Sequence, residues 1–367
     1  MTGADLPPMD HAARRERLSE RLPRAGCDGM LVTNVVNIRY LTGFTGSAGM
    51  LLVTPEEWLL VSDSRYGEQA AEQTGNAGVA VRIEITSTRQ RDVMGPAAGQ
   101  LKRLGLEAES VSWAGQRRFA EWFPATELVP TGHVIEGLRE VKDVGEIARI
   151  EAAAAIADEA LEMVVGLLSD GPTEREFAIE LDFTMNRLGA DGTSFETIVA
   201  SGPNGARPHA RPGDRRVREG DLVVVDFGAL VDGYRSDMTR TVLVGAGSQA
   251  QQEMIDVVVR SEAAGVGAVG AGVDCSAVDA ACRDVIAEAG WAEAFLHSSG
   301  HGVGLEIHES PRIAATSEAV LVVGNVVTVE PGVYLSEHGG VRVEDTVVVT
   351  GDGCRRLTHA PIRSVVA

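Results

Sequence analysis

Leu222-Val223-Val224-Val225-Asp226-Phe227-Gly228-Ala229-Leu230-Val231-Asp232-Gly233-Tyr234-Arg235-Ser236-Asp237-Met238-Thr239-Arg240-Thr241-Val242-Leu243-Val244 reads as a β-hairpin. Two apolar, β-branched runs flank Asp232-Gly233, and Asp-Gly between such runs is a strong turn signal. Asp226 is out of place. Continuous apolar runs belong to strands buried on both faces, and an unpaired carboxylate there costs several kcal/mol. With Asp232-Gly233 at the centre of the turn, Asp237 falls opposite Gly228. Asp226 and Asp237 then share one face, diagonally across the pair. Two carboxylates on one buried face repel unless protonated or joined by a cation, so the expectation is a bound metal.

Three further residues downstream stand in similar settings. His301 sits in the small-residue stretch His297-Ser298-Ser299-Gly300-His301-Gly302-Val303-Gly304, where backbone can approach a ligand closely. Glu330 ends the run Val326-Val327-Thr328-Val329 and precedes Pro331-Gly332. Glu344 interrupts the apolar run from Val341 to Val349. Singly, a strand carboxylate is an edge residue or half of an ion pair, and a histidine among glycines is a turn residue. Together, four carboxylates and one imidazole suit hard or borderline divalent ions such as Mn, Co or Zn. Two metals sharing bridging carboxylates can activate water and polarise a carbonyl. Competing hydrolase signatures are missing: His301 and His308 do not form H-E-x-x-H, and there is no G-x-S-x-G.

The chain around these residues has 367 residues, enough for two domains, and 44% apolar content supplies a core. A formal charge of −20 argues against nucleic acid as a partner. Cys27, Cys275, Cys282 and Cys354 form no C-x-x-C pair; Cys275 and Cys282 share a helix face, which suggests packing. A chain this long without a disulfide framework fits a reducing compartment. Met1 to Pro8 lacks the pattern of a signal peptide, and no apolar run reaches the roughly 18 residues of a membrane span. The expectation is a cytoplasmic protein with no membrane partner.

From the N-terminus, a charged helix pattern (His11 to Pro23) precedes strand-like runs Gly29 to Thr33, Met50 to Thr54, Trp58 to Ser62 and Val79 to Ile85. Helical patterns Arg89 to Arg103 and Trp113 to Phe123 follow. Strands alternating with helices predict an α/β layer domain over residues 1–137. Gly43, Gly46 and Gly49 fit no phosphate-binding motif and read as a tight turn. After a charged joint at Leu138 to Asp143 come helices at Val144 to Leu168 and Thr173 to Gly189, the second opening on the capping-box spacing Thr173 to Glu176. A strand (Phe195 to Ser201), a loop and the hairpin follow. Helices from Gln249 to about Ala264 and from Ser276 to Gly290, then strands from Phe295 to Thr350, repeat that order. Residues 138–367 are therefore expected to be an α+β domain of two helix-helix-strand halves. Gly265-Val266-Gly267-Ala268-Val269-Gly270 matches G-x-G-x-x-G but follows a helix rather than a strand, and reads as a helix end or connection.

The order Asp226, Asp237, His301, Glu330, Glu344, with the words DFGALVDGYRSDMTRT, SSGHGVGLEIHE, TVEPGVY and GGVRVED, resembles the metallopeptidase family of methionine aminopeptidase, aminopeptidase P and prolidase. The resemblance covers residues from about 140 to 360 and implies the pita-bread catalytic fold. IRYLTGFTGSAG and VSDSRY resemble the N-terminal α/β creatinase-like domain of bacterial aminopeptidase P-like proteins. The resemblance implies that Asp226 chelates one metal, Asp237 and Glu344 bridge two, and His301 and Glu330 hold the second. It implies that His209 contacts substrate and the developing oxyanion, that His308 is a second catalytic histidine, and that Arg342 supports the centre in proline-specific members. His297 and Tyr334 match substrate-lining positions. The implied cofactors are two divalent ions, Mn first with Co or Zn as alternatives. The implied activity is Xaa-Pro aminopeptidase on peptides with proline second; in that mechanism Glu330 passes a proton to the proline nitrogen. Xaa-Pro dipeptidase (prolidase) is the alternative, and a creatinase-like amidinohydrolase or a non-catalytic binding module stand further back. Family members of this build form homodimers or higher homo-oligomers.

Overall fold

The computed structural model describes residues 6–366. Met1 to Asp5, where most of the signal-peptide reading falls, lie outside them. The chain divides into two compact units, one of residues 9–139 and one of residues 140–366 together with residues 6–8. Leu6 packs on the core of the second unit, and the Pro7 carbonyl accepts a hydrogen bond from Arg149.

The first unit runs α1 (His11–Arg24), β1 (Gly29–Val32), α2 (Val35–Thr42), β2 (Met50–Val53), β3 (Trp58–Ser62), α3 (Gly67–Asn76), β4 (Arg82–Ile85), α4 (Gln90–Ala98), β5 (Arg103–Glu107), α5 (Trp113–Trp122), β6 (Glu127–Thr131) and α6 (Glu136–Arg139). Its six strands form one sheet in the order β4-β3-β2-β1-β5-β6, with β1, β5 and β6 parallel. One expectation needed correction, and one helix went unread. The helix read as far as Arg103 stops at Ala98, and Arg103–Glu107 is β5, paired on both sides. The stretch before Gly43 is α2: Asn34 caps its first turn and Gly43 closes it at φ 75°, a conformation glycine adopts without strain. The crevice at the carboxyl ends of β1, β5 and β6, where open α/β sheets bind nucleotides, is filled. Glu107 there accepts from the Thr33 and Asn34 amides and from Asn37, leaving a cavity of about 10 Å³.

The second unit runs α7 (Val144–Val164), α8 (Glu174–Arg187), β7 (Gly192–Thr193), β8 (Ile198–Ser201), β9 (Leu222–Phe227), β10 (Ala229–Val231), β11 (Tyr234–Arg235), β12 (Met238–Val244), α9 (Gln249–Ala268), α10 (Cys275–Glu288), β13 (Gly300–Gly302), β14 (Glu309–Ile313), β15 (Val326–Val329), β16 (Gly332–Leu335), β17 (Gly339–Arg342), β18 (Asp345–Thr350), β19 (Gly353–Arg356) and β20 (Ser364–Val366). One half carries the sheet β20-β12-β9-β8 and the other β14-β13-β15-β18-β19. Asp143 with Glu146 and Thr173 with Glu176 close capping boxes on α7 and α8. The G-x-G-x-x-G stretch is absorbed into the end of α9. A Cβ on Gly265 would lie 2.3 Å from Cys282 Sγ, so this glycine serves the close crossing of α9 and α10.

The hairpin keeps the register its turn dictates: Met238 pairs with Phe227, Thr239 with Asp226 and Val231 with Tyr234. Asp232 and Gly233 both have positive φ, 45° and 77°, as a type I′ turn requires. Val223, Val225, Phe227, Met238 and Val242 face the core under α7 and α8, whereas Leu222 and Leu243 face the core under α9 and α10. Burial on both faces explains the unbroken apolar runs. Asp226, Asp237, Thr239 and Thr241 are in phase with the second face. The ladder breaks between them: β9 and β12 belong to one sheet, β10 and β11 to another with β7. At the break a Cβ on Gly228 would lie 2.0 Å from the Ser236 carbonyl oxygen.

Gly228→Ala should therefore force the two strands apart between Asp226 and Asp237. The expected loss is about 1–3 kcal/mol or more, read as a lowered Tm. Gly166→Ala, with nothing within 4 Å of the added carbon, is the control, and equal Tm values for the two variants would refute this account.

Candidate metal centre

The carboxylates arrive on both halves. Asp226 is the penultimate residue of β9 and Asp237 precedes β12; Glu330 follows β15 and Glu344 lies between β17 and β18. The halves are stitched where these meet. The Glu344 amide donates to the Thr239 carbonyl at 3.1 Å, Thr346 Oγ1 donates to the Asp237 carbonyl at 2.8 Å, and Arg240 donates to the Glu344 carbonyl. One ligand atom each from Asp237, His301 and Glu344 lies within 4.8 Å of the others. His301 Nε2 faces Asp237 Oδ2 at 3.6 Å and Glu330 Oε1 at 3.5 Å. Its Nδ1 lies 3.0 Å from the Gly302 carbonyl oxygen, which can only accept, so Nδ1 carries the proton and Nε2 offers its lone pair to the carboxylates.

Arg342 is the cation that organises the acids. Buried, it donates to Asp226 Oδ2 through Nη2, to Tyr334 OH at 2.8 Å through Nη1, and to Thr239 Oγ1 at 3.0 Å through Nε. Thr239 Oγ1 then donates to Glu344 Oε2 at 2.7 Å. Tyr334 OH passes its proton toward His297 Nε2 at 2.8 Å, and His297 Nδ1 donates to the Ser298 carbonyl. Burial, then the Arg342 charge, pushes the His297 pKa down to about 4, consistent with a neutral ring accepting from Tyr334.

One guanidinium does not balance four carboxylates. Burial raises the proton affinity of Asp237, reinforced by the charges of Glu344, Asp226 and Glu330. Glu344 is raised by burial and then by Glu330 and Asp226. Glu330 is pushed up to about 7, chiefly by burial and against the pull of Arg342. Asp226 Oδ1 is buried with no hydrogen-bond partner. An orphaned carboxylate oxygen, an imidazole lone pair aimed at acids and an excess of buried negative charge are what a site for hard or borderline cations presents.

The remaining sequence candidates lie at the rim. His308 is exposed, its ring edge-on to His301 at 4.3 Å between centroids, and burial and the His301 charge lower its pKa. The next residue, Glu309, anchors that loop through a buried pair with Lys142 at 3.1 Å. His209 is exposed on the segment between β8 and β9, within electrostatic reach of His297, His308 and Glu330. The sequence reading missed Thr239, which joins Arg342 to Glu344. It also missed Thr328, whose Oγ1 accepts from the His301 amide at 3.1 Å. The signal for Thr239 was present: it stands two residues from Asp237 on a strand, hence on the same face.

Two helix-helix-strand halves with a carboxylate-rich candidate metal centre at their seam have the pita-bread build of a metallopeptidase. Residues 148–351 match the metallopeptidase family M24, and residues 14–141 match the creatinase/prolidase N-terminal domain. The chain belongs to the M24 metallopeptidase family. It is 36% identical to an Xaa-Pro dipeptidase of Pyrococcus furiosus, over 94% of this chain and 97% of that one. Among solved structures it is similar to an Xaa-Pro dipeptidase from Bacillus anthracis, with TM-score 0.93 and 37% identity over 97% of this chain and 100% of that one. It is also similar to an X-Pro aminopeptidase from Thermotoga maritima, with TM-score 0.87 and 36% identity over 94% of this chain and 100% of that one. No helix among the described residues is long and apolar enough to cross a membrane.

The raised carboxylates fix the sign of a pH effect. A carboxyl group whose folded pKa exceeds its unfolded value is protonated in the fold before it is protonated in the open chain. Metal-free protein should therefore lose stability as pH rises from about 4.5 through about 7, on the order of 3 kcal/mol from Glu330 alone. Divalent cations should abolish that trend and release protons on binding. Tm against pH, with and without chelator, measures it; a metal-free Tm that rises across this range would refute the assignment.

Proposed function

We propose that the protein is a metal-dependent Xaa-Pro peptidase that acts on dipeptides, cleaving between a first residue and a C-terminal proline. The observation that carries the metal-dependent chemistry is the cluster of Asp237, His301 and Glu344, completed by the orphaned Asp226 oxygen and by Glu330. The sequence words of the N-terminal unit pointed first to aminopeptidase P. The dipeptidase names of the Pyrococcus and Bacillus relatives favour the dipeptide reading, and the Thermotoga aminopeptidase keeps longer peptides as the second.

In this reading Asp226, Asp237, His301, Glu330 and Glu344 would hold two divalent ions, Mn in first place and Co or Zn as alternatives. Bound there, such ions would supply Lewis acidity that lowers the pKa of water and polarises a carbonyl. The chain's own residues do the rest. Glu330 accepts a proton from the attacking water and delivers it to the proline nitrogen as the C–N bond breaks. His209 donates toward the oxygen on which negative charge develops, where a placed donor counts most. His308 holds the proline residue's carbonyl group. Arg342 fixes Asp226 and Tyr334 in place, and Tyr334 holds the neutral His297 against the site. Proline offers no N–H, so its ring is recognised by shape.

Ala-Pro should be cleaved in preference to Ala-Pro-Ala, and chelation should abolish both activities. Preference for the tripeptide would return the assignment to aminopeptidase P, and turnover surviving complete metal removal would end the metal mechanism. Asp237→Ala should lose both ions and reduce turnover by at least about a thousandfold; an Asp237→Ala protein that still binds two ions would overturn the shared-ligand role.

A further inference from the structure

His209 is exposed, yet a donor that meets a developing charge must be held in place. What holds it starts elsewhere, at the first residue of α8. Glu174 is fully buried. Its Oε1 accepts from the Ser201 amide at 2.8 Å, from Ser201 Oγ at 2.7 Å and from Asn204 Nδ2 at 3.0 Å. Its Oε2 accepts from Asn204 Nδ2 at 3.1 Å and from the Gly213 amide at 3.1 Å. Ser201 and Asn204 open the segment that carries His209, and Gly213 closes it. The backbone of α8 repeats the grip: the Glu174 amide donates to the Arg215 carbonyl and the Arg175 amide to the Gly213 carbonyl.

Between these ends the segment rests on β17. A Cβ on Gly340 would lie 1.9 Å from the Gly205 carbonyl oxygen, and one on Gly339 2.8 Å from that of Gly202. Backbone therefore lies directly on backbone there. Arg342, at the end of β17, reaches the Pro208 carbonyl at 3.4 Å.

From this geometry we propose that Glu174 is a positioning residue: one carboxylate clasps both ends of the 201–213 segment and thereby fixes His209 over the metal centre. The inference rests on the peptidase reading for the role of His209, but the clasp itself does not.

Glu174→Gln separates the two ends. Its amide oxygen can still accept from Ser201, while its NH2 turns a donor toward the Gly213 amide or the Asn204 NH2, neither of which can accept. Hydrogen exchange should accelerate within residues 202–213 and not in β9 or β12. On Ala-Pro, kcat/KM should fall about 10- to 100-fold with the bound-metal count unchanged. Because the clasp acts through His209, the Glu174→Gln/His209→Ala double variant should be no slower than His209→Ala alone. Losses that multiply, as for independent sites, would overturn the positioning role, and unchanged exchange in 202–213 would overturn the clasp. If Glu174→Gln fails to fold, Asn204→Ala at a half-buried position removes two of the five bonds and should give the same pattern at smaller size. Full turnover by His209→Ala would instead refute the role given to His209, and the clasp would then be decided by exchange alone.

Discussion

Four carboxylates drawn around one guanidinium are the constraint on which the second unit depends. Asp226, Asp237, Glu330 and Glu344 bring four negative charges into the seam between two sheets, and Arg342 brings one positive charge. In a low-dielectric interior such an excess is tolerated only by protonation or by a bound cation. The fold supplies part of the first, as the raised proton affinities of Asp237, Glu330 and Glu344 show, and it is shaped for the second. The centre is thus destabilising when stripped and stabilising when filled, which couples metal binding to the integrity of the seam.

Strands buried on both faces make that seam possible. β9 and β12 turn one row of side chains to the α7–α8 core and the other to the α9–α10 core, so the acids on the second row are set among buried neighbours. Their spacing is set by a backbone contact: Gly228 lets the Ser236 carbonyl close in, and the hairpin changes sheets between Asp226 and Asp237. Thr239 then carries the Arg342 field to Glu344 through its hydroxyl. No isolated ion pair of the surface kind, worth about 0–1 kcal/mol, would hold a site in this way.

How much of this was legible in the sequence depended on whether the signal was local. Asp232-Gly233 fixed the hairpin register without ambiguity, because a two-residue turn leaves no freedom in pairing, and the capping box at Thr173 is written within four residues. The acids stood out because buried strands exclude charge. β5 was hidden because Arg103-Leu104-Gly105-Leu106-Glu107 contains no β-branched residue; its place between β1 and β6 comes from tertiary pairing alone. α2 was hidden by its length of eight residues. The sheet change at Gly228 and the grip of Glu174 on Gly213 are contacts across the fold, which no periodicity records.

The histidines of the centre show how environment separates like residues. His301 and His297 both turn Nδ1 to a backbone carbonyl, of Gly302 and Ser298 respectively, so each has Nε2 free to act as an acceptor. The two acceptors then meet opposite partners. His297 meets the Tyr334 hydroxyl, which is itself held by Arg342, and the result is a satisfied neutral ring that shapes the site. His301 meets the oxygens of Asp237 and Glu330, which when ionised cannot donate. Three acceptors converging in this way need either a proton on one of the carboxyl groups or a cation at their centre. The residue type alone does not separate the two rings; the partner of the second nitrogen does.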